Sequence, residues 1–395
     1  MVHICYSLSD RKGTYTKLVG TSMRSLFEHT EEWVTVHILH DHTLSDDNKR
    51  NLMALVRSYG QQLLLYDVEK TFPGRLEKLA EYNKWMEGKI KPGGSLAIWY
   101  RLMMGEIIKG PDRIIYLDAD TVVNLDIKEL WQEKTGENGL AAVVDSVIRE
   151  QHYSFMVKKG LCQEERYFNS GVLLLDMELW GTQEGLMERG AEFLKEHDLI
   201  DYPDQDVLNY FFGERASLLP EKYNTLVSWE LSHRRNETKP MIYHYANKQY
   251  SFDYTNNYHK LFWDNFTETP WCNSEFLCRL SHNMRNNIGG KMLIFSNLTA
   301  GKTRVVVGRE AERDKYARML MLREDESFLT VEELNQRGFN LDKKEIMVFF
   351  LPYAEYMKAK KHLEACGAEE GAHFVDGNVL TAPDPVQEAK AFLEA

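Results

Sequence analysis

The first part of the chain alternates short apolar runs with segments of helical periodicity. Apolar runs bounded by polar residues predict buried strands, and Tyr15–His29 carries apolar residues at helical spacing. Such alternation is typical of an α/β sheet whose strands are joined by crossover helices. The predicted strands are Val2–Tyr6, Val34–Leu39, Leu63–Tyr66, Arg113–Leu117, Leu140–Val144 and Gly171–Leu175, with Met241–Tyr245 extended, and further helices are predicted after Ser45, over Ser95–Lys109 and over Gln205–Phe212.

The pattern changes between about Pro270 and Gly290, and a new alternation starts at Lys291–Phe295. We therefore expect a first domain over 1–270, a linker over 271–290 and a small α/β domain over 291–395. In the last of these, helices are predicted over Glu310–Leu322 and Tyr353–Ala365, and a strand over Glu345–Leu351. Neither of the glycine-rich phosphate-binding motifs occurs there, so no nucleotide can be assigned to it.

Composition and charge narrow the class of protein. The 395 residues are 43% hydrophobic, which is enough for a sizeable core, and 60 acids against 48 bases give a net charge of -12. Nucleic acid is therefore not an expected partner. The basic stretch from Arg279 to Arg318 is either a solvated face or a patch that meets a membrane or a partner enzyme.

The cysteines and the first residues bear on the compartment. The five cysteines are odd in number and form no Cys-x-x-Cys pair, so a disulfide framework or structural zinc site is not expected. The start lacks the features of a signal peptide, and no apolar run approaches the roughly 20 residues of a membrane span. We expect a cytoplasmic protein.

The sharpest chemical feature is a pair of carboxylates, Asp118 and Asp120, directly after the predicted strand Arg113–Leu117. Ligands of open α/β sheets bind at the carboxyl ends of strands. Residues two apart on an extended segment point to the same side, where two carboxylates repel unless a cation lies between them. Oxygen ligands favour Mg²⁺ or Mn²⁺. The alternative is an ordinary acidic turn after a strand.

Further polar residues stand at element boundaries. Arg101, on the predicted helix before the strand, is suited to a phosphate or to an acid. Asn169 enters a buried strand and needs hydrogen-bond partners. Asp204 and Gln205 stand at a predicted helix start, where one of the polar residues serves as a cap. His244 follows an extended run and would suit Mn²⁺ as a third ligand, although a lone histidine is more often structural.

These motifs, in this order, resemble those of the family 8 retaining glycosyltransferases, which include bacterial lipopolysaccharide galactosyl- and glucosyltransferases and glycogenin. The resemblance covers about residues 1–265. The matching segments are Asp10 with Gly13-Thr14-Tyr15, Ser95 with Tyr100-Arg101-Leu102, Tyr116-Leu117-Asp118-Ala119-Asp120, Phe168-Asn169-Ser170-Gly171-Val172-Leu173, Asp204-Gln205-Asp206 and His244-Tyr245.

The resemblance implies a GT-A fold, a Rossmann-like sheet that binds a UDP-sugar at its strand ends, with the smaller α/β domain following it. It implies transfer of glucose or galactose from UDP-glucose or UDP-galactose, with Mn²⁺ or Mg²⁺, to a glycan, lipopolysaccharide or polysaccharide hydroxyl. By this resemblance, Asp118, Asp120 and His244 hold the metal, Asp204, Gln205 and Asp145 are catalytic, and Ser7, Asp10, Tyr15, Arg101, Asn169 and Lys248 bind the donor.

One segment departs from the family pattern, and other functions stay open. The family commonly places a lysine where Tyr250 stands, and Lys248 lies two residues earlier. A nucleotidyltransferase and a non-catalytic UDP-sugar-binding scaffold are the alternative functions. The family's acceptors also suggest work at the inner face of the cell membrane, with membrane or pathway-enzyme contact through residues 291–395.

Overall fold

The computed structural model describes residues 1–75, 77, 84, 97–151, 154–198, 202–246, 250–251, 255–278, 295–338, 341, 344–380 and 393. The chain divides into two compact units. The first holds residues 1–276 and the C-terminal Leu393, and the second lies within residues 277–388.

The first unit is built around a mixed sheet of seven strands. Its strands and those of a small adjoining sheet are β1 (Val2–Leu8), β2 (Val34–His40), β3 (Gln62–Asp67), β4 (Arg113–Leu117), β5 (Thr121–Val123), β6 (Leu140–Val144), β7 (Phe168–Asp176), β8 (Ser217–Leu218), β9 (Thr225–Leu226) and β10 (Ile242–His244). The order in the large sheet is β3-β2-β1-β4-β7-β6-β8. Strands β3, β2, β1 and β4 are parallel, and β7 runs antiparallel to both β4 and β6.

Helices cover the sheet of the first unit. They are α1 (Thr14–Glu28), α2 (Asp46–Ser58), α3 (Val68–Thr71), α4 (Ala97–Ile107), α5 (Lys128–Trp131), α6 (Ser146–Gln151), α7 (Phe155–Lys158), α8 (Met177–Trp180), α9 (Leu186–His197), α10 (Pro203–Phe212), α11 (Val227–Ser232) and α12 (Asn257–Phe266). The predicted strands of this unit are confirmed. The predicted helix over Ser95–Lys109 is present as α4, and its first two predicted residues lie outside the described part of the chain.

Burial on both faces explains why the central strands are almost wholly apolar. Every residue of β2 is buried, and only Asp176, the last residue of β7, is not. The core against α4, α9 and α10 contains Trp99, Tyr116 and Leu173. Polar side chains appear where the strands leave this core, so the chemistry of the unit is confined to the strand ends.

The small sheet, in the order β5-β10-β9, brings distant parts of the chain to the tip of β4. His244 pairs antiparallel with Thr121, and the amide of Tyr245 donates to the carbonyl of Asp120 at 2.8 Å. A residue more than a hundred positions away in sequence is thereby fixed beside the Asp-x-Asp segment.

The second unit is a smaller α/β sandwich. Its elements are β11 (Thr303–Val307), α13 (Arg313–Met319), β12 (Ser327–Leu329), α14 (Val331–Arg337), β13 (Glu345–Phe349), α15 (Tyr353–Ala365) and β14 (Phe374–Asp376). All four strands are parallel, in the order β12-β11-β13-β14. The predicted helix over Glu310–Leu322 is divided into a 3₁₀ turn, Glu310–Glu312, and α13.

A cavity of about 610 Å³ opens at the carboxyl ends of this second sheet, between α14 and α15. Its lining includes Gly308, Phe349 and Leu351. It lies beside β11 and β13, where the strand order reverses, which is the usual ligand position in such sheets. No helix within the described ranges is long and apolar enough to cross a membrane.

Candidate active site

Three side chains converge at the tip of β4. Asp118, Asp120 and His244 each offer one ligand atom, and these three atoms lie within 4.8 Å of one another. His244 Nε2 is 3.3 Å from an oxygen of Asp120 and 3.8 Å from one of Asp118. Two carboxylates and an imidazole form a donor set that fits Mn²⁺ or Mg²⁺, and the carboxylates stay partly open to solvent.

The charges within this cluster shift the pKa values of its members. Burial lowers the pKa of the His244 imidazole, but the carboxylates of Asp120 and Asp118 outweigh burial and leave that pKa raised. Burial raises the pKa of Asp120, and the facing His244 more than reverses this, so its pKa is lowered. The cluster is therefore a negatively charged recess with a basic ring behind it.

Arg101 bridges the carboxylates of Asp118 and Asp204. Its guanidinium donates to Asp118 at 2.6 Å and lies 3.0 Å from Asp204, and a further N–H donates to the carbonyl of Ser170 at 2.9 Å. It stacks over the ring of Tyr116, whose hydroxyl also donates to Asp118. Only 6% of Arg101 is exposed. Its charge is thus committed to the two acids, as expected for a buried cation with charged partners.

Asp204 opens α10, as the sequence predicted for its segment, and its carboxyl is buried. Burial raises the pKa of Asp204, and the attraction of Arg101 offsets only part of that increase. Arg101 therefore joins the metal-binding cluster to the start of α10, where Gln205 follows.

A buried network lies next to this cluster. Gln205 accepts a hydrogen bond from the amide of Ser170 at 3.0 Å and donates to Asp145 at 3.3 Å. Asn169 also donates to Asp145, at 3.0 Å. The four predicted residues Asp145, Asn169, Asp204 and Gln205 are thus brought to one place from three separate elements of the chain.

The predicted nucleoside-binding residues lie at the end of β1. Ser7 is buried near Tyr116. Asp10 accepts from the amides of Tyr15 at 2.9 Å and Thr16 at 3.2 Å, so its carboxylate caps the start of α1. Burial first, and then the charges of Asp120 and Asp118, raise the pKa of the Tyr15 hydroxyl. Tyr15 is 39% exposed and open to a ligand.

Lys248, predicted to contact the diphosphate, lies outside the described residues.

Asn224 is a residue of this site that carried no signal in the sequence pattern. It is 3% exposed and lies between His244 and Asn169. Gly171, which belongs to one of the matching segments, packs against the His244 ring. Asn224 follows a 3₁₀ turn and precedes a two-residue strand, so neither spacing nor periodicity distinguishes it. Its burial and its two side-chain partners in the folded structure distinguish it.

The mixed sheet with an Asp-x-Asp pair at one strand tip defines the GT-A class of transferase fold, as predicted. Among solved structures, the galactosyltransferase LgtC in complex with donor and acceptor sugar analogs matches 70% of this chain and 99% of its own, with a TM-score of 0.55 at 22% identity. At that identity the likeness establishes the fold.

The chain belongs to glycosyl transferase family 8, whose profile matches residues 4–250. It is 29% identical over 219 residues to the lipopolysaccharide 1,3-galactosyltransferase of Salmonella typhimurium, covering 53% of this chain and 60% of that protein. It is 29% identical over 213 residues to a lipopolysaccharide 1,2-glucosyltransferase of Escherichia coli, covering 52% and 58% respectively. The chain thus matches about 60% of the length of these curated relatives.

Proposed function

We propose that this chain is a metal-dependent retaining hexosyltransferase that uses UDP-glucose or UDP-galactose and transfers the hexose to a hydroxyl of a glycan, lipopolysaccharide or polysaccharide. The observation that carries the proposal is the convergence of Asp118, Asp120 and His244 beside the network of Asp145, Asn169 and Gln205. Family membership and the names of the two relatives support it.

The chemistry of transfer explains this arrangement. Cleavage of the anomeric C–O bond builds negative charge on the leaving diphosphate and positive charge on the sugar ring. A divalent cation held by Asp118, Asp120 and His244 would stabilise the leaving diphosphate as a Lewis acid. Arg101 donates to Asp118 and holds its carboxylate in place. The carboxylates of Asp204 and Asp145, which the family resemblance assigns to the donor sugar, would stabilise its positive charge.

Retention of configuration requires either a covalent intermediate or attack from the face of the leaving group. Both ends of the Gln205 amide are hydrogen-bonded, its oxygen to Ser170 and its nitrogen to Asp145, and an amide is a poor nucleophile. We therefore favour same-face attack, in which the acceptor proton passes to the leaving phosphate oxygen.

The direct test is a donor screen with purified protein and Mn²⁺, scoring UDP release and sugar transfer from several UDP-sugars. Asp118→Asn and Asp120→Asn should abolish metal-dependent turnover, because each removes one anionic ligand. Asp264→Asn is the matched control, since Asp264 is a half-exposed aspartate of the same unit that pairs with Lys260. Unchanged turnover in both site variants would contradict the proposal.

The same screen separates the alternatives. Pyrophosphate release instead of UDP release would favour a nucleotidyltransferase. UDP-sugar binding without turnover would favour a scaffold.

The compartment and the role of the second unit are also proposals. We place the protein in the cytoplasm, at the inner face of the cell membrane, with the second unit meeting the membrane or a pathway enzyme. Co-sedimentation of the full chain with anionic lipid vesicles tests the membrane contact. Failure to sediment at low salt, where charge attraction is strongest, would contradict that contact.

A further inference from the structure

Asn224 bridges two parts of the site. Its amide nitrogen donates to Asn169 Oδ1 at 2.9 Å, and its amide oxygen lies 3.1 Å from His244 Nδ1. All three side chains are at most 9% exposed. Because buried polar groups are costly without partners, each acceptor in this chain of contacts requires a matching donor.

Two contacts of Asn169 have a fixed donor or acceptor, and they determine the direction of the hydrogen bonds that Asn224 makes. The backbone amide of Gly171 can only donate, and it donates to Asn169 Oδ1 at 2.9 Å. At the other end of the Asn169 side chain, the amide nitrogen donates to the Asp145 carboxylate. Asn169 Oδ1 is therefore an acceptor, so Asn224 must turn its nitrogen to Asn169 and its oxygen to His244.

This orientation determines which ring nitrogen of His244 carries a proton. The Asn224 oxygen can only accept, so His244 Nδ1 donates to it. The lone pair of the neutral ring then lies on Nε2, the nitrogen that faces Asp118 and Asp120. A metal-binding imidazole needs its lone pair on the side of the metal, and its other nitrogen commonly donates to a neighbouring oxygen.

We propose that Asn224 is a positioning residue that selects the metal-binding tautomer of His244 and ties its ring to the Asp145–Asn169 network. The inference rests on the proposed metal-dependent function. The backbone pairing supports the inference. Strand β9 pairs in parallel with β10 and sets Leu226 opposite His244. Asn224 stands two residues before Leu226, so the pairing brings it near the ring.

The test measures Mn²⁺ affinity directly, by calorimetry on the full-length protein without donor or acceptor. Asn224→Leu, which keeps the approximate size but offers no oxygen, should weaken Mn²⁺ binding at least tenfold, the usual scale for outer-shell partners of metal ligands. Asn224→Asp keeps an acceptor facing Nδ1 but sets an oxygen against the acceptor Asn169 Oδ1, so it should bind Mn²⁺ more tightly than Asn224→Leu.

A matched control separates positioning from lost stability. Asn265 is another buried asparagine, which accepts from Arg24 and donates to the carbonyl of Leu261. Asn265→Leu should lower the melting temperature and leave Mn²⁺ affinity unchanged. Equal Mn²⁺ affinity in Asn224→Leu and the unmodified protein would overturn the inference while leaving the proposed function intact.

A second measurement needs no variant at Asn224. Nitrogen-15 spectra of the histidine rings, recorded with saturating diamagnetic Mg²⁺ and assigned with His244→Gln, report the tautomer of His244. A proton on Nδ1 is the expected result, and a proton on Nε2 would overturn the inference. Absence of any Mn²⁺ or Mg²⁺ binding by the unmodified protein would overturn both this inference and the metal role in the proposed function.

Discussion

Gly171→Ala tests how closely the site depends on the position of the His244 ring. Gly171 lies on β7 directly behind that ring. A Cβ added there would stand 2.3 Å from His244 Cε1, 2.6 Å from Nδ1 and 3.0 Å from Asn169 Oδ1. The space for the imidazole therefore exists only because residue 171 has no side chain.

The distances set the size of the effect. Non-bonded carbons normally stay about 3.5 Å apart, so the ring must retreat by roughly 1.2 Å, the difference between that value and 2.3 Å. Overpacking of this kind costs about 1 to 3 kcal/mol of unfolding free energy. A misplacement of about 1 Å in a catalytic arrangement can lower the rate about 100-fold. We expect transferase activity to fall about 100-fold in a protein that still folds.

The assay compares sugar transfer, Mn²⁺ affinity and melting temperature in the variant and the unmodified protein. Gly20→Ala is the matched control, because its Cβ would stand 2.2 Å from the Trp271 ring, a clash of similar size outside the metal-binding cluster. Gly20→Ala should lose stability and keep Mn²⁺ affinity. If Gly171→Ala binds Mn²⁺ and transfers sugar like Gly20→Ala, the reasoning about the ring is refuted.

Three other perturbations follow from the same contacts. Arg101→Met leaves the buried Asp204 carboxylate and the partly exposed Asp118 carboxylate without their cation. It should lower the unfolding free energy by about 3 to 5 kcal/mol in urea titrations, and no loss would contradict this account of the two acids. Mn²⁺ at about 100 times its Kd should raise the unfolding free energy of the first unit by about 2.7 kcal/mol. Tryptophan fluorescence reports on this unit, because every tryptophan lies within residues 1–276. Asp120→Asn should remove the gain. In the second unit, burial would raise the pKa of Glu326, but hydrogen bonds from Arg304 and Arg323 lower it to about 2. The ionised Glu326 therefore stabilises the fold above the ordinary glutamate pKa, and this stabilisation is lost as the pH falls from there towards 2. Glu326→Gln should flatten the acid dependence of amide exchange in β11–β13. An unchanged dependence would contradict this assignment.

Much of the first unit follows from its hydrophobic pattern. Strands buried on both faces leave continuous apolar runs, and the carboxylates after Arg113–Leu117 mark the end of one such run. The family resemblance added the order of motifs, and family membership and the GT-A fold are confirmed. The two-residue strands Ser217–Leu218 and Thr225–Leu226 gave no such signal, because two positions are too few to show alternation.

The contacts within the site depend on tertiary pairing that periodicity does not contain. Asn224 reaches His244 because β9 and β10 are neighbours, and Gly171 matters because of the ring behind it. The antiparallel run of β7 was also not predicted. It places Gly171 opposite the Asp-x-Asp segment, where the amide of Asp118 donates to the Gly171 carbonyl at 2.7 Å. Such relations link residues 20 to 73 positions apart, from Asn224 with His244 to Gly171 with His244.

The polar groups of the site form a closed circuit of contacts. It runs from Asp118 to Arg101, Ser170 and Gln205, and returns through Asp145, Asn169, Asn224 and His244. Each member is held by its two neighbours, so the groups are aligned before any ligand arrives and need little reorganisation when charge develops. The faces of Asp118, Asp120 and Tyr15 remain partly exposed. Among the described residues of this recess, the open carboxylates are those of Asp118 and Asp120, and Arg101 is already engaged by Asp118 and Asp204. These described groups therefore favour a divalent cation as the first group to bind, and the bound cation would then attract an anionic diphosphate, which predicts ordered binding of metal before donor.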